Sequence, residues 1–352
     1  MAPTTHIKRV TVDGGISVFY REAGSQTAPT ILLLHGYPSS SFQYRNLITR
    51  LAEKYHVLAP DFPGYGFTVV PAERKYEYTF GNLTKTLGAF VDALKVIKYV
   101  IYIFDYGAPI GLRLALERPQ AIAAIISQNG NAYVEGLGTF WDTCKKFWEN
   151  PATERTGFLK MFTSFELVRD QYTVGAPDPS TVPPETYHLD HFLINRPGNP
   201  DIQTDIMFDY QNNVTLYPAF QQYFREYSPP TLAAWGKNDP VFIAPGAEAL
   251  QDRPQMAHWA SAWPSDDTGD GHFVLTWGPL PNFQYPHRGS ESRSNHVQHK
   301  GGQDRLRSPP SVPRMHIPKA EVKLLDAAHF ALETHNDEIA DLILSFLAKH
   351  NI

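Results

Sequence analysis

The chain has 352 residues, of which 42% are hydrophobic and 19% charged, and its formal net charge is −5. A slightly acidic balance argues against a nucleic-acid partner, since proteins that bind nucleic acid present a basic face. No apolar run reaches the roughly 20 residues of a membrane span, and the first residues lack the apolar stretch of a signal peptide. The single cysteine, Cys144, excludes an internal disulfide framework. We therefore expect a cytoplasmic globular protein, a monomer or homodimer, that binds a small molecule and neither nucleic acid nor membrane.

Short apolar runs closed by turn residues predict buried strands, and the amphipathic stretches between them predict helices. The predicted strands are 31–34, 56–60, 99–104, 124–127, 231–236 and 321–326. The predicted helices are 42–53, 79–94, a helix from 107 to 118, and 336–349. This alternation indicates βαβ units and an α/β fold with a mostly parallel sheet.

Two segments interrupt the alternation. Residues 131–228 are crowded with aromatic side chains and nearly lack strand patterns, which predicts a helical segment inserted between two strands. Residues 252–319 are rich in proline and show no apolar periodicity, which predicts a disordered insertion. This stretch holds six of the 14 histidines, but their spacing is irregular and no cysteine accompanies them, so we expect no metal site.

Four turns that follow strands carry reactive or small side chains. They are HGYP at 35–38, DFPGYG at 61–66, DYG at 105–107, and the loop of His329. Because the carboxyl ends of parallel strands meet at one crevice, these turns can lie together despite their distance in sequence. No G-x-S-x-G motif for a serine nucleophile occurs, and an aspartate, Asp105, stands at the strand-to-helix turn instead.

Five segments in order carry a family resemblance: HGYPSSSFQYRNLI, APDFPGYG, the DYG turn, WGKNDP and AAHFALE. The sequence resembles the α/β-hydrolase fold family, and within it the aspartate-nucleophile branch that holds haloalkane dehalogenases and epoxide hydrolases. The resemblance covers 1–130, 229–251 and 320–352. It implies a hydrolase without a cofactor, in which 1–130 and 229–352 form the core, interrupted by 252–319, and 131–228 forms a helical cap.

The resemblance also implies a catalytic triad. Asp105 is the expected nucleophile, because a carboxylate at a helix N-terminus can attack carbon and form a covalent ester. His329 is the expected base that deprotonates water, and Asp239 is the expected acid that orients it. The backbone N–H groups of Tyr37 and Tyr106 are expected to hold the oxyanion. The alternatives are a helix cap for Asp105, a turn residue for Asp239 and a surface position for His329.

Other polar residues near these turns are expected to have structural roles. His35 is expected to be structural, and Asp326 is expected to be a turn residue at a strand end. Some dehalogenases carry the acid after the strand at 124–127, but Gln128, Asn129 and Asn131 stand there, which favours Asp239.

Haloalkane dehalogenases and epoxide hydrolases differ in the leaving group that the site must stabilise. Typical haloalkane dehalogenases carry Trp after the nucleophile and often Asn after the His-Gly pair, whereas this chain has Tyr106 and Tyr37. Ile103 and the stretch SSSFQYRN are nevertheless dehalogenase-like. Epoxide opening needs an acid, usually a cap tyrosine, for which Tyr217 is the preferred candidate; the alternative is that Tyr217 only packs the cap against the core. The sequence favours epoxide hydrolysis, with haloalkane dehalogenation as the alternative.

A protein of this fold that binds a ligand without turnover is a third hypothesis. The insertion at 252–319 lies between Asp239 and His329, so it is able to displace the histidine loop.

Overall fold

A computed structural model of the protein describes residues 3–251, 317 and 319–352. Except for Ile317 and Lys319, the insertion predicted at 252–319 lies outside the described residues. Within them, strands form one mixed sheet in the order β1-β2-β4-β3-β5-β6-β7-β8. The strands are β1 (His6–Val12), β2 (Ile16–Ala23), β3 (Thr30–Leu34), β4 (His56–Pro60), β5 (Tyr99–Phe104), β6 (Ile122–Gln128), β7 (Thr231–Gly236) and β8 (Glu321–Leu325).

The strands from β3 onward pair in parallel, which confirms the predicted α/β fold class. Every residue of β3 and β5 is buried, as their unbroken apolar runs predict. The sequence interpretation left out an N-terminal hairpin, in which β1 pairs antiparallel with β2 and β2 with β4. Its turn, Asp13-Gly14-Gly15, has positive φ at all three residues, so an Asp-Gly-Gly signal for the hairpin was present.

Helices cover both faces of the sheet. They are α1 (Arg45–Leu51), α2 (Phe80–Ala93), α3 (Gly107–Glu117), α4 (Phe140–Glu149), α5 (Pro151–Phe162), α6 (Phe165–Thr173), α7 (Pro184–Ile194), α8 (Asn199–Asp209), α9 (Gln211–Tyr227), α10 (Pro245–Glu248) and α11 (Leu332–Lys349). The apolar faces of α2 and α3 pack into one core cluster, and those of α1 and α11 into a second. None of the helices in the described part of the chain combines the length and apolar composition that a membrane crossing requires.

Helix α11 begins four residues before the predicted start at Asn336. His335 has non-helical angles (φ −128°, ψ 28°) and kinks the helix there, so the apolar periodicity becomes regular only after the kink. Helix α2 begins one residue after the predicted start, because Thr79 is its N-cap: the Oγ1 atom of Thr79 accepts a hydrogen bond from the Asn82 N–H at 3.2 Å.

The segment between β6 and β7 is helical, as the sequence predicts, and contains α4 to α9. Buried rings of these helices, among them Trp141, Phe158 and Tyr217, join the same core cluster as α2 and α3, whereas Tyr172 in α6 joins the second cluster. The helical segment contacts the turns after β3 and β5, where the ring of Phe162 stacks on Tyr37 and the ring of Tyr210 packs against Tyr106.

Two glycines test how closely the strand-to-helix turn is packed. A Cβ atom added at Gly107 would lie 2.1 Å from the Leu34 carbonyl oxygen, whereas one at Gly157, on the exposed side of α5, would meet nothing within 4 Å. We expect Gly107→Ala to lower the free energy of unfolding by about 1–3 kcal/mol through overpacking. Gly157→Ala should raise it by about 0.5–1 kcal/mol, because alanine loses less entropy in a helix. Chemical denaturation measures both, and equal effects of the two variants would contradict the close contact.

Candidate active site

Asp105 lies immediately after β5, at the turn into α3. Its φ of 46° is in the left-handed region, which is uncommon for a residue with a side chain and marks a strained turn. The turn fits because Gly107 has no side chain to collide with the Leu34 carbonyl. Asp105 is 4% exposed, so its carboxylate must find its partners within the protein.

Backbone N–H groups supply those partners. The Tyr37 N–H donates to Oδ1 of Asp105 at 2.6 Å, and the Tyr106 N–H donates to the same carboxylate. A Cβ atom at Gly36 would lie 2.2 Å from this Oδ1, so only glycine allows the loop to approach so closely. The N–H groups predicted to hold an oxyanion thus converge on the carboxylate of Asp105.

His329 and Asp239 complete the arrangement. The imidazole Nδ1 of His329 lies 2.7 Å from Oδ2 of Asp239, and its Nε2 lies 3.9 Å from Oδ2 of Asp105. Nε2 has no hydrogen-bond partner among the described residues. Oδ1 of Asp239 accepts a hydrogen bond from the Val241 N–H at 2.7 Å. The structure therefore brings the three predicted triad residues together, with Nε2 directed at the carboxylate of Asp105.

Burial and charge set the protonation of these groups. Burial raises the pKa of Asp105 to about 6, against the opposing influence of His329 and the N–H groups of Tyr37 and Tyr106. Burial lowers the pKa of His329, but the neighbouring carboxylates Asp239 and Asp105 outweigh it, so this pKa is raised above 6.5. Asp105 is thus mostly ionised near neutral pH, and its charge, with that of Asp239, favours the protonated form of the imidazole.

Asn129 is a residue of the site whose role sequence reasoning missed. It follows β6 with φ 48°, and its Nδ2 donates to Oδ2 of Asp239 at 2.7 Å. Its Oδ1 accepts the Gly236 N–H at 2.9 Å. The neighbouring Gln128 donates from Nε2 to the backbone carbonyl of His329 at 2.8 Å. These amides lie at the end of β6, where some dehalogenases carry the acid. They hold the carboxylate of Asp239 and the backbone of His329 in place.

A pair of phenol hydroxyls lies in the helical segment near Asp105. Tyr217 in α9 and Tyr210, just before α9, have their hydroxyl oxygens 3.3 Å apart. Asn131 Nδ2 also lies 3.3 Å from the Tyr217 hydroxyl, as a donor. The ring of Tyr210 packs on that of Tyr106, with centroids 5.6 Å apart, which places the pair beside the turn of Asp105. Tyr217 was predicted; Tyr210 was missed, because only the tertiary fold distinguishes it from the many other aromatic residues of this segment.

The hydroxyls of the two predicted turn tyrosines have different surroundings. The Tyr37 hydroxyl donates to the backbone carbonyl of Phe162 at the end of α5, so it is not available to a leaving group. The Tyr106 hydroxyl is buried and has no hydrogen-bond partner among the described residues.

Two other residues behave as expected. His35 is structural, with Nδ1 beside the Gly36 carbonyl at 3.1 Å and Nε2 accepting the Phe62 N–H at 3.0 Å; burial lowers its pKa to about 4. Asp326 follows β8 as an exposed turn residue whose Oδ1 accepts a hydrogen bond from Asn238.

Comparisons with known proteins identify the family of this chain. A family model described as alpha/beta hydrolase fold matches residues 29–152. An uncharacterized hydrolase of Saccharomyces cerevisiae is 46% identical over 274 residues, which are 76% of this chain and 91% of that protein. The chain belongs to the α/β-hydrolase family.

Haloalkane dehalogenases are among the relatives of this α/β-hydrolase. One from Psychrobacter cryohalolentis is 36% identical over 177 residues, which are 48% of this chain and 57% of that protein. Among solved structures, a loop variant of a haloalkane dehalogenase from Bradyrhizobium elkanii has a TM-score of 0.65 at 17% identity, covering 99% of this chain and 98% of its own. At that identity the structural likeness shows the shared fold alone.

The His329–Asp239 contact predicts a measurable change in protonation. Asp239→Asn removes the charge that raises the pKa of His329 and leaves the burial that lowers it, so this pKa should fall. Titration of the imidazole by NMR measures it. Asp326→Asn is the matched control, because it removes an exposed carboxylate three residues from His329. An equal response to both substitutions would contradict a specific pairing with Asp239.

Proposed function

We propose that this α/β-hydrolase opens epoxides through a covalent ester on Asp105, with residues 131–228 as the cap over the site. The observation that carries the proposal is the hydroxyl pair of Tyr210 and Tyr217 beside the turn of Asp105. An epoxide oxygen must gain a proton as its bond to carbon breaks, and a phenol is a suitable donor.

Tyr217 is the better proton donor of the pair. Burial raises its pKa, but hydrogen bonds from Tyr210 and Asn131 oppose this rise and hold the pKa at about 12. The same contact raises the pKa of Tyr210, whose value lies well above 10. The two donors stabilise the phenolate of Tyr217, so the proton leaves from that residue.

In the first step, Oδ2 of Asp105 attacks an epoxide carbon. The carbon–oxygen bond of the ring breaks, and the epoxide oxygen takes the proton of Tyr217 to become a hydroxyl. The product is a hydroxyalkyl ester of Asp105 and a phenolate at Tyr217. The pKa of Asp105 at about 6 means that this step is lost as the pH falls through that value, because the protonated carboxyl is a poor nucleophile.

In the second step, neutral His329 takes a proton from a water molecule that attacks the ester carbonyl carbon. Negative charge develops on Oδ1, which accepts the Tyr37 N–H, in the carboxylate that the Tyr106 N–H also binds, and each such donor is typically worth about 2.7–4 kcal/mol. The bond from this carbon to Oδ2 breaks, and the departing alkoxide takes the proton from His329 to complete a vicinal diol. The carboxyl proton left by the water returns to the phenolate of Tyr217.

Haloalkane dehalogenation is the second candidate, favoured by the dehalogenase relative at 36% identity. A halide needs polarised donors, and indole N–H groups are well suited to that task. In the described ranges, however, the indole N–H groups of Trp141, Trp148 and Trp235 all donate to backbone carbonyls. The donors at hand are phenol hydroxyls, which favour epoxide opening over halide release.

The third hypothesis, a binding protein without turnover, is disfavoured by the same geometry. A displaced histidine loop would separate His329 from Asp239, whereas these side chains are 2.7 Å apart and fully buried.

Trapping the ester tests the proposal. His329→Ala removes the base of the second step, so an epoxide should remain attached to the peptide that contains Asp105, with a mass increase equal to the whole epoxide. Mass spectrometry after a single turnover detects it, and Asp105→Ala is the control that should carry no adduct. A haloalkane adduct without an epoxide adduct would establish the second candidate, and no adduct with either class would contradict the ester mechanism.

The role of Tyr217 gives a separate prediction. Tyr217→Phe should slow ester formation from an epoxide by about 10²–10⁴-fold, the usual contribution of a general acid. Ester formation from a haloalkane, which needs no proton, should change far less. Tyr223→Phe is the matched control, since Tyr223 is a buried tyrosine of the same helix whose ring packs on Phe224 and Tyr227. Equal rates for both variants with epoxides would contradict the assignment.

A further inference from the structure

An aromatic stack connects the helical segment to the loop of His329. The ring of Tyr172, in α6, lies on the ring of Phe330 with centroids 3.7 Å apart and planes 8° from parallel. Tyr172 and Phe330 are 2% and 3% exposed. Phe330 directly follows His329, so this stack reaches the histidine through one peptide bond.

Phe330 also touches the imidazole itself. Its ring meets that of His329 edge-on, with centroids 5.2 Å apart at 89°. Phe104, the residue before Asp105, contacts both rings, at 4.7 Å from His329 and 5.0 Å from Phe330. The imidazole is therefore packed between side chains whose outer member, Phe330, is covered by Tyr172.

Tyr172 is itself fixed by a second residue of the helical segment. Its hydroxyl donates to Oδ2 of Asp190 in α7, and Asp190 is fully buried. Burial raises the pKa of Asp190 to about 8, so the carboxyl is neutral near pH 7 and remains as an acceptor without bringing a charge beside the stack. The ring of Tyr172 is thereby held in one orientation.

On its other side, the turn after Phe330 is tied to the core. The guanidinium of Arg45, at the start of α1, binds both carboxylate oxygens of Glu333 at 3.0 and 2.6 Å. The Glu333 N–H also donates to the Phe330 carbonyl at 3.0 Å. The backbone of the turn is thus anchored by the core, while the ring of Phe330 is held by Tyr172.

We propose that Tyr172, oriented by Asp190, is a positioning residue that keeps the imidazole of His329 aligned for water activation. This inference rests on the proposed ester mechanism. It predicts that the Tyr172–Phe330 stack affects one of the two reaction steps and not the other. Ester formation uses Asp105 and Tyr217 and does not need the stack, whereas ester hydrolysis uses His329 and does.

The test compares Tyr172→Leu, which removes the stack, with Phe165→Leu. Phe165 is an aromatic residue of the same helix that packs on Tyr187, His188 and His191, and it reaches Tyr172 only through Tyr187. Rapid-quench mass spectrometry with an epoxide follows formation and decay of the ester separately. Tyr172→Leu should slow decay at least tenfold and change formation less than twofold, whereas Phe165→Leu should change neither. Equal slowing of both steps by Tyr172→Leu, or no slowing, would overturn the proposal.

A second readout needs no substrate and so separates this inference from the ester mechanism. The proton on Nδ1 of His329, shared with Asp239, should exchange with water at least tenfold faster in Tyr172→Leu than in Phe165→Leu, as measured by NMR. An unchanged exchange rate would overturn the positioning role even if an ester forms. If wild-type protein forms no ester while exchange accelerates, the ester mechanism fails and the positioning role stands.

Tyr172→Phe keeps the ring and removes only the hydroxyl, so it decides the matter if the leucine variant does not fold. We expect proton exchange about two- to fivefold faster than in the unaltered protein. Asp190→Asn keeps an acceptor for the Tyr172 hydroxyl and should exchange at the rate of the unaltered protein. Identical exchange in Tyr172→Phe, Asp190→Asn and unaltered protein would overturn the orienting role of the hydrogen bond.

Discussion

A buried carboxylate, that of Asp105, is the constraint on which the rest of the structure depends. Removing an ionised group from water is costly unless the protein supplies hydrogen-bond donors. Here the donors are backbone N–H groups of Tyr37 and Tyr106, which come from loops after neighbouring strands of the sheet. Both loops must approach the carboxylate closely, and this explains why Gly36 and Gly107 tolerate no side chain.

Much of this arrangement could be predicted because its signals are local. Unbroken apolar runs predict the central strands, and the residues after them predict which side chains meet at their carboxyl ends. The kink at His335 was not predictable in this way, because the apolar periodicity of α11 becomes regular only after it. The hairpin of β1 and β2 had a local signal, the Asp-Gly-Gly turn, that the interpretation did not use.

The remaining features of the site depend on contacts between residues far apart in sequence. Asn129 looks in sequence like a missing acid, and only the fold shows its amide bound to Asp239, 110 residues away. Tyr210 and Tyr217 are two of many aromatic residues between β6 and β7, and composition cannot show that their hydroxyls pair, nor that the ring of Tyr210 packs against Tyr106. The sequence also does not show what the tryptophans do. In the described residues, each indole N–H donates to a backbone carbonyl of the fold.

Tyr37 connects two parts of the molecule through its two ends. Its backbone N–H binds the carboxylate of Asp105, while its hydroxyl binds the carbonyl of Phe162 at the end of α5. Its ring also stacks on that of Phe162, with centroids 4.1 Å apart. In the proposed mechanism the same N–H holds the oxyanion, so any displacement of α5 is transmitted through Tyr37 to that donor. Under the proposed mechanism, the position of α5 and the position of this N–H donor are therefore coupled through a single residue.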